Sequence, residues 1–294
     1  MGRYGLKRLG LAFLAAVIGW GSLLLQTSAK AAVFGDGHPE NGIEDQRLVT
    51  TQPQLRSVGT VVCDDGLRGT ATHIKASFRE SAAPIIVTAA HILFEKKSGK
   101  MYLSCSYLPQ NRRLSAIPFY AISEHDYNPF AADKIEQSET DIVFIALAGS
   151  LQQPALSLTE AANINDQKLS LLGYNSDLND ITESADCETF VSAQFASEKL
   201  LLHDCDARSG ASGGPLLLQL ISQQGSEPKP SVIAIHGGTL FLHPQDDAEH
   251  STNVDGAVAD PERWVNQARK VDQALLERLR RFNTYLAKGF PDQS

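Results

Sequence analysis

Between about residue 55 and residue 240, the sequence is a succession of short apolar runs separated by turn-forming residues. The runs include SVGTVVC, RGTATHI, PIIVTAA, DIVFIALA, KLSLLGY, GPLLLQLI and SVIAIHG. They are rich in Val, Ile, Leu and Thr, and no regular alternation with helical segments interrupts them. Runs of this kind are typical of antiparallel β-strands. The pattern therefore predicts an all-β fold, either a barrel or a sandwich.

The periodicity changes after Asp260, where apolar residues recur at helical spacing. They are Trp264, Ala268, Val271, Leu275, Leu279, Phe282 and Leu286. This spacing places them on one face of an α-helix, with Asp260 as a cap and Pro261 in its first position. We predict a long C-terminal helix over about residues 260–288. Its apolar face docks on the β domain, or alternatively its basic face lies at a membrane surface.

The first residues of the chain, 1–31, have the layout of a secretory signal peptide. Three basic residues precede an apolar run over residues 9–25, and the small-residue triplet Ala29-Lys30-Ala31 follows. We expect cleavage after Ala31 or Ala32, and the alternative is an uncleaved membrane anchor. The protein is therefore predicted to be secreted or periplasmic, without a stable membrane span after cleavage.

Residues 32–54 are polar and turn-rich, which suits a propeptide, a tail packed on the folded domain or an unstructured lead. The formal net charge of the whole chain is −8, and removal of the basic leader makes it more negative. An acidic protein of this kind is a poor candidate for binding nucleic acid.

The cysteines of the chain number four, namely Cys63, Cys105, Cys187 and Cys205. An even number in an exported protein favours two disulfides over metal ligation. Of the three connectivities, we favour Cys63 with Cys105 and Cys187 with Cys205, because each pair then joins neighbouring segments of one half of the chain.

Three segments carry side chains that hydrolytic chemistry uses. His91 follows a β-like run in IIVTAAHIL, Asp141 opens ETDIVFIAL, and Ser212 lies among glycines in GASGGP. Each residue alone has a structural explanation, as a packed histidine, a strand-end acid or a turn serine. Their occurrence together and in this order favours a catalytic set.

These segments resemble, in chain order, the histidine, aspartate and serine motifs of the chymotrypsin-like serine proteases. The resemblance spans about residues 55–280 and implies two packed six-stranded antiparallel β-barrels, over about residues 55–150 and 165–258. It implies an exported serine endopeptidase that acts on protein or peptide substrates through an acyl-enzyme and needs no metal or cofactor.

The resemblance also implies the role of each residue. Ser212 attacks the substrate carbonyl, His91 takes its proton, and Asp141 orients the imidazole. The backbone N–H groups of Gly210 and Ser212 form the oxyanion hole.

The specificity of such an enzyme is left open by two conflicting features. The stretch VIAIHGGT resembles an IHxGG strand of the bacterial branch that includes glutamyl endopeptidases, except that Thr239 replaces the last glycine. In that branch, the histidine equivalent to His236 helps bind an acidic side chain; the alternative is a hydrogen-bonded histidine of the core, since His236 lies in an apolar strand. Asp206 instead occupies the position of the aspartate with which trypsins select basic residues, unless it braces a loop or pairs with Arg208.

Two further expectations concern the residues around the serine. The backbone of His236, Gly237 and Gly238 should pair with an extended substrate as an added strand. Ala211 stands where the animal digestive enzymes carry the aspartate that binds a new N-terminus, so activation through that ion pair is not available.

Two other classes of protein remain as alternatives. One is a catalytically silent module that keeps the same fold for binding or scaffolding. The other is a metal-binding protein, although none of the eight histidines forms a His-Glu-x-x-His motif.

Overall fold

The computed structural model describes residues 33, 45–49, 56–64, 66–76, 83–110, 115–161, 164, 169–220, 229–242 and 264–288. The strands are β1 (Arg47–Val49), β2 (Val58–Cys63), β3 (Gly66–Ile74), β4 (Ile85–Thr88), β5 (Cys105–Pro109), β6 (Ile117–Ile122), β7 (Val143–Leu147), β8 (Ser157–Leu158), β9 (Leu169–Asn175), β10 (Asp180–Cys187), β11 (Thr189–Phe190), β12 (Leu200–His203), β13 (Pro215–Leu220), β14 (Lys229–Phe241) and β15 (Trp264–Lys270). The helices are α1 (Lys134–Glu139) and α2 (Gln273–Ala287), and a 3₁₀ turn spans Ala90–Leu93.

The first half of the chain forms a closed antiparallel barrel with the strand order β2-β3-β4-β7-β6-β5. Its interior is filled by side chains such as Val61, Leu93, Tyr107 and Ile145, all fully buried. Strands β2 and β5 lie side by side and are joined by the predicted Cys63–Cys105 disulfide. The predicted first six-stranded barrel is confirmed.

The second half forms a nine-stranded sheet with the order β1-β10-β9-β13-β14-β15-β12-β11, in which the short strand β8 pairs with β14. The six strands from β10 to β12 make up the second unit of the predicted architecture. Strands β1 and β11 occupy its two edges, so within the described part of the chain the unit is an open sheet and not a closed barrel.

The C-terminal helix is shorter than the sequence predicts. Trp264–Lys270, assigned to the helix by its apolar spacing, is strand β15, which pairs with both β12 and β14 and is buried on both faces. Helix α2 begins at Gln273, where the side chain of Asp272 accepts a hydrogen bond from the backbone N–H of Leu275 at 2.8 Å. The expected cap, Asp260 with Pro261, lies outside the described residues.

Helix α2 docks on the β domain, as one of the two sequence-based alternatives proposes. Its buried residues Leu275, Leu279, Phe282 and Leu286 join a core cluster that contains side chains of both β units. The guanidinium of Arg278 donates a hydrogen bond to the carbonyl of Ile142 at 2.8 Å. The helix therefore ties the end of the chain to the segment beside Asp141.

The predicted signal peptide, residues 1–31, lies outside the described residues. None of the helices in the described ranges is both long and apolar enough to cross a membrane. Within the expected propeptide or tail, residues 45–49 are packed on the second sheet, where β1 pairs with β10.

Candidate active site

His91 and Asp141 face each other on the first barrel. Nδ1 of His91 lies 2.6 Å from Oδ2 of Asp141, and the backbone N–H of His91 donates to Oδ1 at 2.7 Å. The residue Asp141 is 5% exposed, whereas His91 is partly exposed. Since a carboxylate only accepts, the proton of a neutral His91 imidazole lies on Nδ1, and Nε2 is then the acceptor.

Two local features place these side chains. Strand β4 ends at Thr88, and the buried residues Ala89 and Ala90 allow the chain to enter the 3₁₀ turn against packed backbone, with His91 on its rim. Asp141 follows α1 at the start of β7, where its backbone N–H donates to the carbonyl of Ser138 at 3.2 Å. The end of strand β4 thus positions His91, and the end of helix α1 positions Asp141.

Ser212 lies on a tight turn that enters β13 in the second sheet. Gly213 has φ +88°, and a Cβ there would lie 2.1 Å from the carbonyl of Thr70 and 2.2 Å from Oγ1 of Thr88. The turn therefore packs against the strand that leads to His91, and glycine is required at position 213 for both reasons.

The hydroxyl of Ser212 donates a long hydrogen bond of 3.5 Å to the carbonyl of Gly237. In the described structure, Ser212 and His91 share no hydrogen bond. Catalytic hydrogen bonds of this kind often form only when substrate is bound.

Thr70 of β3 joins the first barrel to the serine turn, and sequence reasoning missed it. Its backbone N–H donates to the carbonyl of Ser212 at 2.8 Å, and its Oγ1 donates to the carbonyl of Gly210 at 2.7 Å. Oγ1 also accepts from the N–H of Tyr174 at 2.9 Å. A buried threonine in a β-strand is common, so no motif marks this role in the sequence.

The backbone N–H groups of Gly210 and Ser212, the expected oxyanion donors, make no hydrogen bond to another described residue. Gly210 has φ +101°, and a Cβ there would lie 2.7 Å from the ring of Tyr174. The two N–H groups are thus without a partner among the described residues, and the backbone at position 210 is one that only glycine accepts.

His236 and His203 form a fully buried pair in the second sheet. Nε2 of His203 lies 3.2 Å from Nδ1 of His236, and the N–H of Cys205 donates to Nδ1 of His203 at 3.2 Å. The proton of His203 is therefore on Nε2, and this N–H donates a hydrogen bond to Nδ1 of His236. The proton of the neutral His236 is then on its own Nε2. Among the described residues, Nε2 of His236 has no hydrogen-bond partner.

Burial determines the charge of this pair. Desolvation, followed by the nearby His91, lowers the pKa of His236 to about 3, against a smaller opposing effect of the Gln267 backbone. Burial also lowers the pKa of His203 well below its usual value. Both imidazoles are neutral near pH 7. The sequence motifs predict no role for His203, although a histidine inside the apolar run LLLH is unusual.

Asp206, the candidate for binding a basic substrate side chain, is 2% exposed. Its Oδ2 accepts a hydrogen bond from the backbone N–H of Gln46 at 2.6 Å, and its own N–H donates to Oγ of Ser184 at 2.9 Å. The carboxylate is thus bound to the N-terminal segment. The predicted Cys187–Cys205 disulfide joins strand β10 to Cys205, the residue that precedes Asp206.

His236, Gly237 and Gly238, the residues expected to pair with substrate, differ in their backbone partners. The N–H and C=O of His236 are bonded to Gly214 and Gly213 of the serine turn, both at 2.8 Å. The pairing of β14 with β15 shifts register between His236 and Gly238, which places a bulge at Gly237. Gly238 pairs with Gln267 of β15, whereas Gly237 lies at the bulge and its carbonyl accepts the hydrogen bond from Ser212.

The sequence of residues 69–220 matches the family model described as trypsin-like peptidase domain. A comparison with curated proteins finds no matching sequence.

Several solved structures share the fold. One is a Glu endopeptidase, with a TM-score of 0.58 and 15% identity over 86% of this chain and 99% of that one. Another is the thermostable serine protease AL20 from an extremophilic microorganism, with a TM-score of 0.52 and 14% identity over 79% of this chain and 99% of that one. A third is the protease Anisep from Arthrobacter nicotinovorans, with a TM-score of 0.52 and 12% identity over 80% of this chain and 98% of that one.

Proposed function

Because the chain belongs to the trypsin-like peptidase family, we propose that it is an exported serine endopeptidase with His91, Asp141 and Ser212 as its catalytic residues. The observation that carries the proposal is the double hydrogen bond from His91 to the buried carboxylate of Asp141, at 2.6 and 2.7 Å. A carboxylate held in this way fixes the imidazole tautomer that a general base needs.

In the first half of the reaction, Oγ of Ser212 bonds to the carbonyl carbon of the substrate as its proton passes to Nε2 of His91. The resulting imidazolium is stabilised by Asp141. The tetrahedral intermediate then collapses, the C–N bond breaks, and His91 returns the proton to the leaving amine. The product of this step is an ester of Ser212 with the acyl part of the substrate.

In the second half, water takes the place of the amine. His91 accepts a proton from the water as its oxygen attacks the ester, and it then protonates Oγ of Ser212 as that group leaves. In both halves, the negative charge on the substrate oxygen is met by the N–H groups of Gly210 and Ser212. Loss of one such donor typically costs about a hundredfold to a thousandfold in rate.

We propose further that the enzyme prefers an acidic residue before the scissile bond. The neutral His236 has its Nε2–H without a partner among the described residues, and a carboxylate oxygen is a suitable acceptor for it. Preference for a basic residue is less favoured, because the carboxylate of Asp206 already accepts a hydrogen bond from the backbone N–H of Gln46 at 2.6 Å.

The proposal is tested by treating the purified protein with a fluorophosphonate probe and locating the adduct by peptide mass. We expect an adduct on Ser212 that is absent from Ser212→Ala and retained in Ser209→Ala, a matched control at an exposed serine of the same loop. No adduct on the folded wild-type protein would overturn the proposal in favour of a silent binding module.

A further inference from the structure

A short segment ahead of the first barrel, residues 45–49, is bound to the second sheet, and we call it the N-terminal strap. Its strand β1 pairs antiparallel with β10, with Arg47 opposite Ser184 and Val49 opposite Thr182. The backbone N–H of Gln46 donates to the buried Asp206 at 2.6 Å. The strap therefore contacts the segment that precedes the serine turn.

Arg47 joins the strap to the second sheet through Asp177, while Asp45 of the strap itself also accepts from its guanidinium. Its guanidinium donates to both oxygens of Asp177, at 2.9 and 2.6 Å, and to both oxygens of Asp45, at 2.9 and 2.7 Å. The side chain of Arg47 is 2% exposed. Bidentate, charge-assisted bonds of a buried arginine define geometry strongly, and loss of one partner is costly.

Asp177 lies on the turn between β9 and β10, and this turn is bonded to the loop that carries the oxyanion donors. The N–H of Arg208 donates to Oδ1 of Asn175 at 2.6 Å. The N–H of Ser176 donates to the carbonyl of Ser209 at 3.0 Å. The strap thus reaches both ends of residues 206–209, through Gln46 at one end and through the Asp177 turn at the other.

We propose that the N-terminal strap positions residues 206–210, so that the N–H of Gly210 points at the substrate oxygen during catalysis. Arg47 and Asp177 are then positioning residues for the oxyanion hole. The inference rests on the proposed function, and it adds that residues 45–49 belong to the working enzyme. A cleavage that removes them would lower activity.

The test compares Arg47→Ala, Arg47→Lys and Asp177→Asn with wild type and with Arg281→Ala. Arg281 pairs with Glu124 at an exposed site on α2, so its variant controls for the loss of an arginine ion pair. Because the oxyanion hole acts on the transition state, Arg47→Ala and Asp177→Asn should lower kcat by about 10-fold to 100-fold with KM changed less than about twofold. Arg47→Lys keeps the charge but loses the bidentate geometry, so it should recover part of the loss.

Hydrogen exchange of the peptide that covers residues 206–212 gives a readout independent of turnover. We expect faster exchange in Arg47→Ala and Asp177→Asn, and an unchanged rate in Arg281→Ala. An unchanged kcat in a folded variant, or unchanged exchange, would overturn the role of the strap. If wild type neither labels nor turns over, the proposed function fails, while the exchange rates still decide whether the strap holds the loop.

Discussion

His203 and His236 are stacked edge to face in the second sheet, with ring centroids 5.2 Å apart and neither residue exposed. The chain of donors from the N–H of Cys205 through both rings ends at Nε2 of His236. The proton of the neutral His236 is therefore at Nε2, a buried atom that has no hydrogen-bond partner among the described residues. We propose this neutral donor as the group that recognises a substrate carboxylate.

Replacement of His236 by Gln should selectively weaken cleavage after glutamate. A hydrogen bond to a charged group contributes about 1.5 to 3 kcal/mol, which corresponds to about 10-fold to 100-fold in kcat/KM. The measurement is the ratio of kcat/KM for matched peptides with Glu and with Leu before the scissile bond. His73→Gln, at a buried histidine bonded to the carbonyl of Gln153, should leave the ratio unchanged. Equal losses on both peptides in His236→Gln would point to a purely structural role.

The buried histidines should make the fold sensitive to mild acid. The unfolded chain binds a proton at each histidine near pH 6.5, whereas the folded pKa of His236 is lowered to about 3. Stability is therefore complete above about pH 6.5 and is lost as the pH falls toward about 3. Denaturant unfolding at about pH 7.5 and about pH 5 should show this decline.

The slope of the free energy of unfolding against pH shows how much individual histidines contribute to this decline. Burial also lowers the pKa of His73 and of His125, so these residues contribute in the same direction. His236→Gln should flatten the pH dependence by up to one proton, or about 1.4 kcal/mol per pH unit. An unchanged slope would mean that His236 is not buried as a neutral ring.

Asp141→Asn should lower kcat by about 10⁴-fold while the protein stays folded. An amide can donate to Nδ1 of His91, which would move the imidazole proton to Nε2 and remove the base. Steady-state kinetics and circular dichroism check the two parts. Asp133→Asn is the matched control, since Asp133 caps α1 at an exposed site and should matter only for local stability. Near wild-type activity in Asp141→Asn would refute the assigned role.

Loss of the disulfide between Cys187 and Cys205 should lower the free energy of unfolding by about 2 to 4 kcal/mol. The bond closes a loop with a sequence separation of 18 and ends beside Asp206. Denaturant unfolding of the Cys187→Ser/Cys205→Ser protein gives the value, and the corresponding Cys63/Cys105 variant is the comparison. Intact mass before and after reduction should differ by the hydrogens of two disulfides, and four free thiols before reduction would contradict the pairing.

The sequence predicts well where a local pattern carries the information. Most strands of the first barrel, the apolar face of α2 and the motifs around His91, Asp141 and Ser212 follow from short stretches of the chain, whereas the barrel itself is implied by the family resemblance. Strand β10 was missed because its sequence DITESADC is mostly polar, although Thr182 and Ser184 are buried in the sheet. No periodicity marks such a strand.

Other features depend on tertiary partners. Trp264 and Ala268 have helical spacing, but pairing of WVNQARK with strands on both sides outweighs that local preference. The buried position of Arg47 depends on Asp177, whose sequence separation from it is 130. Thr70 likewise gains its role from contact with the serine turn, which no single segment of sequence encodes.

Thr70 has a further consequence, because the proposed nucleophile and its base come from different halves of the chain. The bonds from Thr70 to the carbonyls of Ser212 and Gly210 cross the boundary between those halves. A protein cut between β7 and β9 into two co-expressed fragments would have to rebuild this boundary before it could cleave anything. Turnover would then report the association of the two fragments. The hydrogen bonds of Thr70 would set how the fragments align.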